Sequence, residues 1–378
     1  MKENDSHLWE GQFISDKQLQ QYISNIQQHI TRFLELNINL ELLIYTLDQF
    51  SKILKDSQHQ YYKLLFNVLY EQHPLNNISE YLNILSDFIS YDNIILKLKR
   101  ELNISFPKFD LTRLDFNTPI FEGWYPLGVL VHICSSNYPL ISVLSGIEGL
   151  LSGNINFIKI SASDTMFAQN FFDILCKIDQ YKQIQKKIHI LKVSSSEIKN
   201  IKPLLNCADA LVVWGSENIK ALCSYKTKFI EWGPKISFAY IAKSKLDDLR
   251  FLEHLSKDIC KLEQQSCSSP QIIFVDTQDR EELEYFANKF ASVFDKISSE
   301  MQPAFVPSLK EQEELSIFIQ QAKIEQILEE NKLVEDINHT YRILVKYDNH
   351  MIDKDLLIPS AEELFLQRSE VIGVTKKS

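Results

Sequence analysis

The stretch GVLVHICSSNYPLISVLSGIEGLLSGNINFIKIS, Gly128 to Ser161, decides the fold. It opens on a short apolar run (128–134), turns through polar residues at Pro139, continues as an apolar helical pattern (138–151) and closes on a second apolar run (156–161). The texture continues downstream. IHILKV (188–193) and ALVVWG (210–215) read as strands, with helices expected over 165–181 and 195–205, the latter opened by Ser194 and Glu197 at capping-box spacing. Strand and helix in alternation predict a doubly wound, largely parallel α/β sheet.

Beyond Gly233 the alternation resumes. Strands are expected at 236–242, 272–275, 341–347 and 370–374, and helices at 245–262, 280–300 and 308–331, giving a second α/β unit. Upstream the texture is helical. Leu19, Tyr22, Ile23, Ile26, Ile30, Phe33 and Leu34 recur at helical spacing after Ser15 or Asp16 as N-cap, and similar stripes run over 38–55, 59–72 and 78–101. The division expected is a helical N-terminal region (1–107), a Rossmann-like cofactor-binding domain (108–234) and a catalytic domain (235–378). Seven of the nine glycines lie between Gly123 and Gly233, so turns and close backbone approaches concentrate there.

Composition narrows the function. The formal net charge is −10 and the forty Lys and Arg are scattered, so nothing resembles a nucleic-acid footprint. The N-terminus lacks an apolar leader and no apolar run is long enough to span a membrane, which predicts a cytoplasmic protein. The six cysteines form no CxxC pair and no Cys/His cluster at zinc spacing, so free thiols and no metal are expected.

Several residues could carry chemistry. Cys267, in EQQSCSSPQIIFVD, stands in a polar turn that Pro270 leads into a strand, and is either a packed thiol or a presented nucleophile. Asn137 follows the first strand, as a turn residue or as an amide donor where ligands of such sheets collect. Lys159 and Ser161 end the second strand, where a lysine is either solvated or in reach of a ribose or its phosphate. Gly215 and Ser216 join a strand to a helix, an arrangement able to hold a pyrophosphate, although no GxGxxG is present. Glu231 precedes Gly233 and reads alone as a surface carboxylate. His132 and Cys134, on an apolar strand, read as core, and so do Trp124, Trp214 and Trp232.

Taken in order, the asparagine with its aromatic and proline, GN…K-x-S, a Gly-Ser turn, E-x-G-x-K and the cysteine resemble the aldehyde dehydrogenase superfamily. SCSSPQIIFV and GVLVHICSSNYPL are closest to the LuxC-type acyl-CoA reductases, over about residues 120–276. The resemblance implies an aldehyde dehydrogenase-like fold and NADPH-dependent reduction of an acyl thioester to the aldehyde. It makes Cys267 the nucleophile that forms an acyl-enzyme, with Asn137 and the Cys267 backbone N–H around the oxyanion, a contribution of about 3 to 4 kcal/mol in such sites. It assigns Lys159, Ser161, Gly215 and Ser216 to the cofactor. NADPH is expected over NADH because Ala162, with Asp164 nearby, stands where NAD-preferring relatives carry a glutamate. Glu231 matches the base that dehydrogenases use to activate water; a reductase must avoid that hydrolysis, which leaves proton handling or a structural role. The substrate implied is acyl-CoA or a carrier-bound acyl group, with an acyl-transferring protein as partner and an oligomeric assembly. The chain stops where further family sequence is expected. Two other readings share the scaffold: a cysteine acyltransferase or thioesterase without hydride transfer, and a non-catalytic subunit.

Overall fold

The computed structural model describes residues 5–72, 78–102, 111–113, 116–117, 119–134, 138, 140–162, 164–214, 226–232, 237–260, 269–277, 279–300, 309–335, 341–347 and 371–376. The chain falls into two compact units, Met1–Gly233 and Pro234–Ser378.

The first unit begins with strands β1 (Asp5–Trp9) and β2 (Gln12–Ser15), then helices α1 (Asp16–Ser24), α2 (Ile26–Leu34), α3 (Leu40–Lys55), α4 (Gln60–Gln72), α5 (Ile78–Phe88) and α6 (Tyr91–Leu102). A short pair, β3 (Thr112–Arg113) and β4 (Phe121–Glu122), leads to β5 (Val129–Ile133), α7 (Ile141–Leu151), β6 (Ile155–Ile160), α8 (Phe167–Ile178) and β7 (Ile188–Lys192). A 3-10 segment, Ser195–Ile201, runs into α9 (Lys202–Asn206), followed by β8 (Ala210–Trp214) and β9 (Lys228–Trp232). The seven-stranded sheet has the order β2-β1-β7-β6-β5-β8-β9, parallel from β7 through β9.

Every residue of β5 and β6 is buried, so both faces of these strands need cover. Val129, Val131 and Ile133 join Phe157, Leu191 and the apolar sides of α1, α2 and α9 on one face. Ile158, Ile160, Ile188 and Ile190 meet α7 and α8 on the other. Helix α7 lies close to the sheet because two of its residues lack a side chain. A Cβ on Gly146 would stand 2.5 Å from Ile158 Cδ1, and one on Gly149 would stand 1.8 Å from Asn156 Oδ1.

The sequence reading starts its sheet at residue 128, but two strands precede the helices. Glu10 (φ 48°) and Gly11 (φ 70°) both occupy the left-handed region, which is the two-residue turn that suits a twisted hairpin. β1 then pairs antiparallel with β7, and Trp9 packs against Phe33, Phe157 and His189. Ser15 caps α1, with Gln18 Oε1 accepting from its backbone N–H (3.1 Å) and its hydroxyl (3.0 Å). The remaining N-terminal helices add a layer over α7 and α8. Phe50 of α3 packs on Phe171 of α8, and Ser51 and Ser86 bond each other's carbonyl oxygens, closing α3 onto α5. These helices therefore share a core and a compact unit with the sheet.

In the second unit, β10 (Ser237–Ile241), α10 (Leu249–Cys260), β11 (Pro270–Val275), α11 (Arg280–Glu300), α12 (Leu309–Ile327), β12 (Asn331–Glu335), β13 (Arg342–Lys346) and β14 (Val371–Lys376) build a five-stranded sheet. Its order is β10-β11-β14-β13-β12, parallel except for β12. Phe286, Phe290 and Phe294 of α11 fill its core with Ile273, Ile343 and Val345. β12 falls where the helical pattern was read as running on to 331; the helix stops four residues earlier and Glu329 (φ 59°) turns the chain back.

Two predictions follow from this packing. Gly149→Ala should lower the unfolding free energy by about 2 kcal/mol, because the added methyl displaces Asn156; chemical denaturation against the parent protein measures it, and an unchanged midpoint would refute the close approach. His132 and His189 are buried, and burial lowers their pKa to about 4 and about 3 from the ordinary 6.5. Below that ordinary value the unfolded chain takes up protons that the folded chain refuses, so stability is full above about pH 6.5 and falls as pH falls through the window. His189→Phe, which keeps a ring between Phe33 and Phe157, should flatten the slope of stability between about pH 5 and 6.5 by up to about 1.4 kcal/mol per pH unit; a slope like the parent's would show that His189 is not the titrating group.

Candidate active site

Counted along the chain, the five parallel strands of the first sheet stand in the order third, second, first, fourth, fifth. The winding reverses between β5 and β8, and the crevice outside the carboxyl ends of such a pair is where ligands of doubly wound sheets bind. In sequence, Asn137 comes after β5 and Gly215 and Ser216 after β8; Lys159 is the penultimate residue of β6, with Ser161 just beyond it, and Glu231 is the penultimate residue of β9. Asn137, Gly215, Ser216 and Cys267 lie outside the described residues. Cys267 stands three positions before β11, in the second unit.

Lys159 is not solvated. It is 1% exposed, and its ammonium donates to Ser195 Oγ at 3.3 Å, at the start of the 3-10 segment after β7. Ser161, half-buried, and exposed Ala162 follow it. Asp164 is turned inward: its carboxylate accepts from the backbone N–H of Met166 at 2.9 Å, its carbonyl accepts from Lys192 Nζ at 2.5 Å, and burial raises its pKa. The end of β6 thus gathers an ammonium and hydroxyls beside an engaged carboxylate, a donor set whose chemistry suits a phosphate or a sugar better than a cation. Ser195 is a partner the sequence reading passed over as a helix start, and its Ser194–Glu197 box is a direct side-chain bond (3.0 Å) on a 3-10 turn.

Under the crevice runs a buried polar chain. Asn156 Nδ2 donates to the carbonyls of Asn154 (2.8 Å) and Lys187 (3.1 Å), which leaves its Oδ1 to accept from His132 Nε2 at 3.1 Å. His132 Nδ1 then accepts from the Ser145 hydroxyl at 2.7 Å, and Ser145 Oγ accepts from the Trp214 indole N–H at 3.1 Å. Donors and acceptors match along its length with His132 neutral and protonated on Nε2, in keeping with its lowered pKa. His132 is the satisfied core histidine expected. Cys134 beside it is buried, and burial pushes its thiol pKa up.

Glu231 is exposed on β9, the edge strand, of which only Phe229 is half-covered. Two of the three tryptophans differ from the core reading, Trp124 being 54% and Trp232 44% exposed, whereas Trp214 is half-buried against the core. Among the described residues no group of three or more His, Cys, Asp or Glu could hold a metal ion, and no helix is long and apolar enough to cross a membrane.

Comparison with known proteins agrees with this architecture. The chain is similar to the long-chain acyl-protein thioester reductase of Photorhabdus luminescens, 28% identical over 155 residues, which is 40% of this chain and 32% of the relative. It is equally similar to that of Vibrio harveyi, 28% identical over 165 residues, 42% of this chain and 34% of the relative. The matched stretch thus spans about a third of the length of these curated relatives. Among solved structures, an aldehyde dehydrogenase from Bacillus cereus superposes with a TM-score of 0.68 at 14% identity, covering 100% of this chain and 80% of that one. The indole-3-acetaldehyde dehydrogenase of P. syringae, in complex with NAD+, gives 0.67 at 13% identity over the same shares. The fold is that of the aldehyde dehydrogenases. The family model described as acyl-CoA reductase (LuxC) matches residues 36–363, and the chain belongs to that family.

Proposed function

We propose that this protein reduces an acyl thioester to the aldehyde with NADPH, through an acyl-enzyme on Cys267. The observation that carries the reading is the reversal of strand order between β5 and β8 in a chain of this family, with Lys159 at the carboxyl end of β6 and Glu231 at that of β9. In this reading residues 108–234 hold the cofactor and 235–378 supply the nucleophile. The relatives' name supports a long acyl chain carried on a protein, and a carrier or acyl-transferring protein is the partner we assign; acyl-CoA is the free form of the same thioester. We place the reaction in the cytoplasm, where the thiols of Cys134, Cys176 and Cys207 would stay reduced, and in an oligomer.

A nicotinamide cofactor is supported by the neighbour that binds NAD+. The preference for NADPH rests on this chain's own donors: Lys159 and Ser195 meet at the end of β6, Ser161 follows, and the Asp164 carboxylate caps its own turn through the Met166 N–H. Gly215 and Ser216 are assigned to the pyrophosphate. Bound reduced nicotinamide supplies the hydride that takes the acyl carbon to the aldehyde level.

The chain's residues do the rest. The Cys267 thiolate adds to the thioester carbonyl and the carrier thiol leaves, so one C–S bond replaces another and the acyl group is held for reduction. The Asn137 amide donates to the oxyanion that forms at each addition. Glu231 is assigned to proton traffic at the thiol, not to activating water, since water activation would hydrolyse the acyl-enzyme.

The test is NADPH consumption by the full chain with acyl-CoA and acyl-carrier thioesters of graded chain length. Cys267→Ala should abolish it, and Asn137→Ala should lower kcat about 100- to 1000-fold. Thiol release by the wild-type protein without NADPH oxidation would overturn the reductase in favour of acyl transfer or hydrolysis.

A further inference from the structure

Trp214 ends β8 and Trp232 ends β9, and the two are direct partners in the parallel register. Residues so paired point to the same face, and here the indoles stack, with centroids 5.2 Å apart and planes at 14°. The inner indole is fixed from below by Ser145 Oγ, which His132 holds in turn. The outer ring of Trp232 remains 44% exposed. A stacked aromatic pair, anchored in the core by one N–H and open at the ligand end of the sheet, is a surface prepared for another flat ring.

Its place in the sheet says which ring. In a doubly wound sheet the dinucleotide crosses the reversal, and the adenosine ribose lies at the end of the second strand in chain order, here β6 with Lys159. The other half of the cofactor then falls on the far side of the crossing, toward β8 and β9. We infer that the Trp214–Trp232 stack is the wall against which the nicotinamide ring packs, and that Ser145 and His132 are positioning residues that hold the wall. This rests on the dinucleotide reading above.

Binding to the full-length protein separates the two. Calorimetry with NADPH, and with adenosine 2′,5′-bisphosphate as a probe that lacks the nicotinamide half, is run on the wild type and on Trp232→Ala, Trp232→Phe and Ser145→Ala. Trp232→Ala should weaken NADPH about 5-fold and leave the adenosine probe unchanged, with Trp232→Phe retaining most of the affinity. Ser145→Ala should show the same selective loss, and quenching of tryptophan emission by NADPH should shrink in Trp232→Ala. NADPH bound by Trp232→Ala as tightly as by the wild type, or an equal loss for both probes, would overturn the wall while the dinucleotide reading stands. A wild-type protein that binds neither probe would overturn both.

Discussion

The architecture of the first unit depends on one constraint: β5 and β6 leave no residue to solvent. Fully removing a Val, Ile or Phe side chain from water is worth about 1.5 to 3 kcal/mol, and these strands have such residues on both faces. Helices must therefore cover both sides. α7 and α8 carry the chain across one face as it moves from β5 to β6 to β7, and the 3-10 segment with α9 carries it back across the other to β8. The reversal of strand order, and the crevice that goes with it, is the geometric result of covering a strand from two sides with one chain.

The same constraint makes His132 expensive. An imidazole in the middle of a doubly covered strand, left without partners, would cost about 1 to 3 kcal/mol for each unpaired nitrogen. Asn156 and Ser145 remove that cost, and they need α7 close enough for Ser145 to reach. Gly146 and Gly149 permit that approach. Close packing and polar satisfaction are thus one arrangement: the helix that approaches to fill the core also delivers the hydroxyl that completes the chain.

The strands legible in the sequence were those buried on both faces, such as Val129–Ile133 and Ile155–Ile160, because an uninterrupted apolar run records burial directly. Two of the strands missed are sheet edges. Lys228–Trp232 is mostly exposed and Asn331–Glu335 is only partly covered past its first residue, so their composition reads as loop or helix end. The opening hairpin left a signal that went unread, since Glu10-Gly11 between two short apolar stretches is a turn of the kind both left-handed residues require. At the site, Lys159 was legible as a strand-end lysine, but its burial and its bond to Ser195 were not: the two are 36 residues apart and meet only because β6 and β7 are neighbours. The role of Asp164 was hidden for a similar reason, as a carboxylate that caps its own turn looks in sequence like one offered to a ligand.

Trp214 joins these layers. It is the last residue of a buried strand and the first whose ring reaches the ligand end, and its N–H is the terminal donor of the chain that begins at the Lys187 carbonyl. Such a chain has few ways to rearrange. Rotating the indole would break its bond to Ser145 Oγ, and rotating Ser145 would leave His132 Nδ1 unpaired in a buried strand. The orientation of the stacked pair is therefore tied to the packing of the sheet centre. A cofactor that met this surface would find it already arranged, and the conformational cost of ordering it would have been met in folding rather than in binding.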